Sequence, residues 1–222
     1  MKQLILLSML TCGMMANPVT TEPVATAKKI KTTVYHCPKK SYELKTAMRK
    51  LWEDHVTYTR NYIISALADL GDVGAVATRL LKNQDDIGAA IKPFYGKPGA
   101  DQLAKLLRDH IIIATKVVKA AKEGNKEALN QQQAAWKANA DDIANFLHAS
   151  NPHWKKHAMA KMLHTHLDLT TQEVVSRLQK NWDADIAAYD KGHVHMLHFS
   201  DMLVDGLTKQ FPEKFECLCP RP

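Results

Sequence analysis

The sequence predicts an all-α protein, an antiparallel bundle of about six or seven helices, and three observations carry that reading. Long segments rich in Ala, Leu, Ile and Lys run between sparse breakers, with only nine Gly and nine Pro in 222 residues. From Ser41 onward the pattern is helical, and no segment alternates with the period of two expected of a half-buried strand. The chain also matches itself at a shift of 56 residues, as expected of repeated helical hairpins.

The elements follow in order. Residues 1–16 have the form of a secretory signal peptide: Lys2, an apolar run from Leu4 to Leu10, and the small-residue exit Gly13-Met14-Met15-Ala16. Cys12 raises a lipoprotein reading, but Thr11 stands where a small Gly, Ala or Ser is expected. No later segment is long and apolar enough to span a bilayer, so the expected location is periplasmic or secreted. Residues 17–40, with Pro18, Pro23 and Pro38, read as an extended leader, residues 41–211 as the bundle, and residues 212–222 as a Cys-containing tail. A first helix runs from the Ser41 cap to about Leu70, and Gly71-Asp72 break it. The second covers about Val73 to Ile91 and ends before Pro93, Gly96, Pro98 and Gly99. The third covers about Ala100 to Lys122, closed by Gly124. Asn125 caps the fourth, about Lys126 to His148, and Ser150-Asn151-Pro152 stops it. A fifth starts near His153 and either breaks near Asn181 or continues toward Gly192; the last covers about His193 to Gln210.

The repeat places chemistry-bearing residues at one level. The shift of 56 puts Asn83-Gln84-Asp85-Asp86-Ile87 on Asn139-Ala140-Asp141-Asp142-Ile143, and Leu106-Leu107-Arg108-Asp109-His110 on Met162-Leu163-His164-Thr165-His166. One unit earlier, Leu51-Trp52-Glu53-Asp54-His55 resembles the segment ending at His110; one unit later, Asp201 takes the histidine's place. Each polar residue falls near the middle of its helix, and neighbouring helices joined by short loops align at their middles. A buried layer of His, Asp and Asn is expected, and such a layer must be fully partnered or bind something. Helical bundles hold metals with carboxylates and imidazoles from facing helices. The candidate ligands of a transition-metal ion are therefore His55, Asp86, His110, Asp142, His166 and Asp201, supported by Asn83, Asn139 and Arg60. His195-x-x-His198-x-x-Asp201 has helix-face spacing for further ligands. The rival reading is a non-catalytic envelope binding or scaffold module whose layer is structural. A third is an enzyme with a His base oriented by Asp86 or Asp142. Trp52, Trp136, Trp154 and Trp182 read as core or seam packing.

After signal removal Cys37, Cys217 and Cys219 remain. A disulfide joining the chain ends is the simplest reading, leaving one thiol over; His36-Cys37 with Cys217 and Cys219 would alternatively clip Cu(I) or Zn. The net charge of +7 comes from Lys and Arg interleaved with Asp and Glu. That reads as a solvated surface, with binding to an anionic membrane face or acidic polymer as the alternative, and no Arg-rich or aromatic-interleaved stripe suits nucleic acid; an envelope protein partner stays open. Gly-x-Ser-x-Gly, Walker, Gly-x-Gly-x-x-Gly and His-Glu-x-x-His motifs are absent. Asp183-Ala184-Asp185 lacks any α/β nucleotide-binding framework.

Several segments together resemble a bacterial family of uncharacterised helical proteins. They are Leu51-Trp52-x-x-His55-x-x-x-Thr59-Arg60, Arg79-Leu80-Leu81-x-Asn83, Pro93-Phe94-Tyr95-Gly96, Trp136-x-x-Asn139-Ala140-Asp141-x-Ile143-Ala144, Asn151-Pro152-x-Trp154, Met162-Leu163-x-x-His166 and Asp185-Ile186-Ala187-x-Tyr189-Asp190. The resemblance covers roughly residues 48–215. It implies an all-helical fold. The names glycosyltransferase and acetylglutamate kinase that members often carry conflict with the missing nucleotide-binding motifs.

Overall fold

The computed structural model describes the backbone of residues 32–36 and 38–220 and the side chains of residues 38–216. The signal segment, Cys12, the leader to residue 31, Cys37 and the side chains of His36, Cys217 and Cys219 lie outside the described residues. The readings of export, disulfide and cysteine clip rest on those.

Six helices dominate: α1 (Pro38–Leu67), α2 (Val73–Ala90), α3 (Lys92–Lys122), α4 (Lys126–Ser150), α5 (Lys156–Leu178) and α6 (Trp182–Gln210). Among the described residues no helix is long and apolar enough to cross a membrane. A 3-10 turn over Pro212–Phe215 leads into a short ribbon, in which β2 (Glu216–Pro220) pairs antiparallel with β1 (Thr32–His36). The pairing sets Cys217 opposite Tyr35 and Cys219 opposite Thr33. Neither strand, Thr-Thr-Val-Tyr-His or Glu-Cys-Leu-Cys-Pro, alternates apolar with polar residues, so the period-two signal is missing from the sequence.

Each helix packs on its sequence neighbours, and α1 also packs on α6, which closes the six into a ring. The odd-numbered helices α1, α3 and α5 touch one another as well, so they meet at the middle. Their buried residues recur at spacings of 55 and 56. Met48, Leu103 and Met159 are one such set and Trp52, Leu107 and Leu163 a second, both within the main core; Val56, Ile111 and Leu167 are a third, all buried. Ile63, Val118 and Val174 form a separate small cluster. Between the two clusters lies a polar layer.

The ends of the odd helices match too. Asp69, Gly124 and Lys180 have φ of 54°, 65° and 58°. In each case the next N–H reaches back five residues: Leu70 to the Ser65 carbonyl at 2.9 Å, Asn125 to Ala120 at 3.0 Å and Asn181 to Ser176 at 2.9 Å. This is the Schellman closure, which normally selects Gly at the left-handed residue. Asn125 and Asn181 then cap α4 and α6, accepting from the N–H groups of Ala128 and Ala184 at 3.0 and 3.2 Å.

Residues 153–190 break at Asn181, as one of the two options had it. Three other boundaries differ from the sequence reading. α1 begins at Pro38, so that Ser41 lies inside it and donates to the Pro38 carbonyl at 3.1 Å instead of capping it. Gly192 lies inside α6, where a single Gly costs only about 1 kcal/mol, while Met196, Phe199, Leu203 and Leu207 of the same helix are buried. α3 begins at Lys92 and is interrupted at Gly96, whose φ of 68° and ψ of −176° suit only Gly.

Candidate functional site: a three-histidine cavity

On each odd helix the sequence sets a stripe that faces the ring's middle, with a histidine at one end and an Ile or Val at the other. His55, Thr59 and Ile63 stand four apart on α1, His110, Ala114 and Val118 on α3, and His166, Thr170 and Val174 on α5. Residues four apart share a helix face. All nine line one cavity of about 60 Å³. One water needs roughly 10–15 Å³ by this measure, so the space suits about four waters or a ligand of a few heavy atoms. Trp136 and Leu129 from α4 and Leu80 from α2 contribute to its apolar wall.

The three imidazoles are buried and adjacent. His55 Nε2 lies 3.4 Å from His166 Nε2. The His110 and His166 rings face each other at 6.4 Å between centroids with 22° between planes. Burial pushes all three toward the neutral form: His55 down to about 3, His110 down to about 4, and His166 well below its ordinary value. For His55 the neighbouring His110 adds to the effect, and for His166 His55 adds first. The Asn139 hydrogen bond opposes it at His110.

Helices α2, α4 and α6 each send one side chain to the same point of the adjoining odd helix, four residues before its histidine. Asn83 Nδ2 donates to the Leu51 carbonyl at 2.9 Å, Asn139 Nδ2 to Leu106 at 3.2 Å, and His195 Nε2 to Met162 at 2.7 Å. Asn139 Oδ1 also accepts from His110 Nδ1 at 2.7 Å. Gln84, fully buried, donates to the Leu80 carbonyl at 2.9 Å and to Asn83 Oδ1 at 3.0 Å, with its amide nitrogen 3.4 Å from His55 Nδ1. Polar pairs at the ring's seams also correspond: Arg108 with Asp85 at 3.0 Å, His164 with Asp141 at 2.9 Å, and His193 with Glu53 at 2.7 Å.

Not every polar atom is satisfied. His110 Nε2, His166 Nδ1, Thr59 Oγ1 and Gln84 Oε1 are buried without a hydrogen-bond partner. Such atoms cost about 1–3 kcal/mol each; those of His110, His166 and Thr59 belong to residues lining the cavity, as does the equally unpartnered Trp136 Nε1, while Gln84 lies outside its lining.

The expected aspartates are elsewhere. Asp86 is half exposed and pairs with Lys82 one turn back. Asp142 is exposed. Asp201 pairs with Arg49 and, at 3.2 Å, with Lys45, on the far part of α6, and the Arg49 bond holds its carboxyl below the usual range. The reason lies in helix geometry. A residue three after the buried Asn is turned by about 60°, enough to reach the solvent edge, and a carboxylate takes that edge because burial without a cation is costly. The layer is thus His, Asn and Gln, without Asp, and neither Asp86 nor Asp142 orients a histidine. Among the described residues no group of three or more His, Cys, Asp or Glu is arranged to hold a metal ion. His198 is exposed. Trp182, expected in packing, is 51% exposed and carries Arg177 over its ring at 5.5 Å.

Arg60 does not reach the histidines. Its guanidinium donates to Glu173 Oε1 at 2.8 Å and twice to Asp185, once at 2.9 Å, and Arg177 adds a bond to Asp185 at 2.9 Å. Burial acts to lower the Arg60 pKa, but the bonds to Asp185 and Glu173 outweigh it and raise it. At Glu173 burial wins over Arg60 and raises the carboxyl. This buried cluster adjoins the histidines through a cavity of about 10 Å³ lined by His166, Thr170 and Glu173. Sequence reasoning missed Gln84, Glu173, Asp185 and the role of His195. For His195 the signal was present: a shift of 56 from Asn139 lands on it. Unit counting put a fourth repeat there instead.

No protein-family model, curated protein or solved structure matches the chain.

Proposed function

We propose that this chain is a binding protein whose ligand occupies the three-histidine cavity. One observation carries the reading: His55, His110 and His166 line a cavity while nitrogens of two of them lack partners. A purely structural layer, the scaffold alternative, would satisfy its polar atoms internally, as native interiors do. The cavity's small size calls for a ligand of few atoms. Ala114→Leu should fill the cavity with apolar atoms. Xenon, as a neutral guest, should raise the melting temperature of the wild-type chain and shift its 129Xe resonance on binding. Loss of both effects in the variant supports the reading. No xenon binding by the wild type overturns it.

A second reading, a transition-metal ion on the imidazoles, is favoured by one distance. The 3.4 Å between His55 Nε2 and His166 Nε2 matches the roughly 3.3 Å edge of a tetrahedron with bonds of about 2.0–2.1 Å. Asn139 on His110 Nδ1 would be the usual outer partner of a ligating imidazole. Elemental analysis of untagged protein, with Zn, Cu, Mn and Fe added back to thermal melts, tests it; no stoichiometric metal and no shift remove it.

We also read the six helices as three antiparallel hairpins copied from one unit of 55–56 residues. The matched helix ends, the three bonds to Leu51, Leu106 and Met162, and the matched core sets support this. Export through the N-terminal signal, and the resemblance to the helical bacterial family, stay part of the reading on the residues given above.

A further inference from the structure

The hydrogen-bond network around the cavity dictates where each imidazole carries its proton. Burial keeps all three rings neutral, so each has one N–H and one lone pair. Asn139 is oriented by its Nδ2 bond to the Leu106 carbonyl, so Oδ1 faces His110 and accepts from Nδ1–H at 2.7 Å. His110 therefore presents a lone pair on Nε2, an atom with no partner. Asn83 is oriented likewise by its bond to the Leu51 carbonyl. Its Oδ1 and the Leu80 carbonyl then take the protons of the Gln84 amide. The Gln84 nitrogen next to His55 Nδ1 has no lone pair to offer, so that Nδ1 is unprotonated and His55 carries its proton on Nε2. Across 3.4 Å that proton meets His166 Nε2. His166 accepts there and must hold its own proton on Nδ1, again without a partner.

We infer that the cavity is built for a small neutral hydroxyl compound, an alcohol, which donates to His110 Nε2 and accepts from His166 Nδ1–H while its apolar remainder lies along the Ile63, Val118 and Val174 end. This deepens, and rests on, the reading of the cavity as a ligand site. The unpartnered Thr59 hydroxyl, also in the lining, can serve either role. Charge has no counterpart here. An anion would face neutral rings, since Arg60 and Arg177 are committed to Glu173 and Asp185, and an ammonium would find no free carboxylate in the lining.

The test uses the full chain labelled with 15N-histidine at pH 7.5. Long-range 1H–15N spectra distinguish the two tautomers directly. The expected pattern is Nε2–H on His55 and Nδ1–H on His110 and His166. Titration with 2-propanol should then shift His110 Nε2 and His166 Nδ1 saturably, and Ala114→Leu should abolish both shifts. Acetate should leave them unmoved. A different tautomer on His110 or His166 overturns the inference, as does acetate producing the same saturable shifts. Xenon binding without 2-propanol binding sinks this inference and leaves the cavity reading standing. If neither guest binds, the cavity reading falls with it.

Discussion

Lowering the pH should unfold this protein through its histidine layer, with a proton count fixed by the structure. His55, His110 and His166 have folded-state pKa values depressed from the ordinary 6.5, to about 3 and about 4 for the first two and well below for the third. The unfolded chain thus binds protons that the folded chain refuses. Their contribution is fully present above 6.5 and is lost as pH falls from there toward the folded values. At pH 5.5 a free imidazole is about 90% protonated, so unfolding takes up about 2.7 protons and stability changes by roughly 3–4 kcal/mol per pH unit. Integrated from pH 7.5 to 5.5, three such groups remove about 4 kcal/mol, a large share of the roughly 5–15 kcal/mol of a typical domain. Glu173 works in the opposite direction, because burial raises its carboxyl above the unfolded value, and offsets at most one proton near the acid end. Urea unfolding followed by tryptophan fluorescence reads the change, since Trp52, Trp136 and Trp154 are buried. His110→Gln should reduce the proton uptake by about one. A loss below about 1 kcal/mol between pH 7.5 and 5.5 would refute the reasoning, because it would mean that the rings are solvated or already charged.

The remaining predictions concern packing and charge. Arg60→Met removes the cation from Glu173 while Asp185 keeps Arg177; a cost of about 3 kcal/mol is expected by chemical denaturation, and Arg60→Met with Glu173→Leu should recover most of it. Lys180→Gly relieves a left-handed backbone at φ 58° and should stabilise the fold by about 1 kcal/mol, whereas Gly124→Ala should destabilise it by a similar amount. Gly206→Ala should be severely destabilising, by several kcal/mol, since the added methyl would overlap the Trp154 indole; a thermal melt close to wild type would contradict the packing of α6 on that ring.

How far the site was legible follows from which residues local periodicity controls. The shift of 56 located His110 and His166, and Leu51-Trp52-x-x-His55 located the third imidazole, because residues that fill equivalent inner positions recur at equivalent spacing. The same shift carried Asn83 to Asn139 and on to His195, yet the change from Asn to His concealed that match. It also carried Asp86 to Asp142 as reliably as the asparagines. Sequence spacing cannot tell which of two polar neighbours on a helix turns inward, since both lie on roughly the same face.

By itself the sequence determined the helical class, the start of α2, the capping residue Asn125, and the three histidines, all consequences of local propensity and of spacing along the chain. Only the tertiary structure decided that Gly192 continues α6, that Asp86, Asp142 and Asp201 stay with solvent or cations, and that Arg60 joins Glu173 and Asp185. Those outcomes depend on the cost of desolvating charge and on partners more than 100 residues away in the case of Arg60, and no local window of sequence contains either.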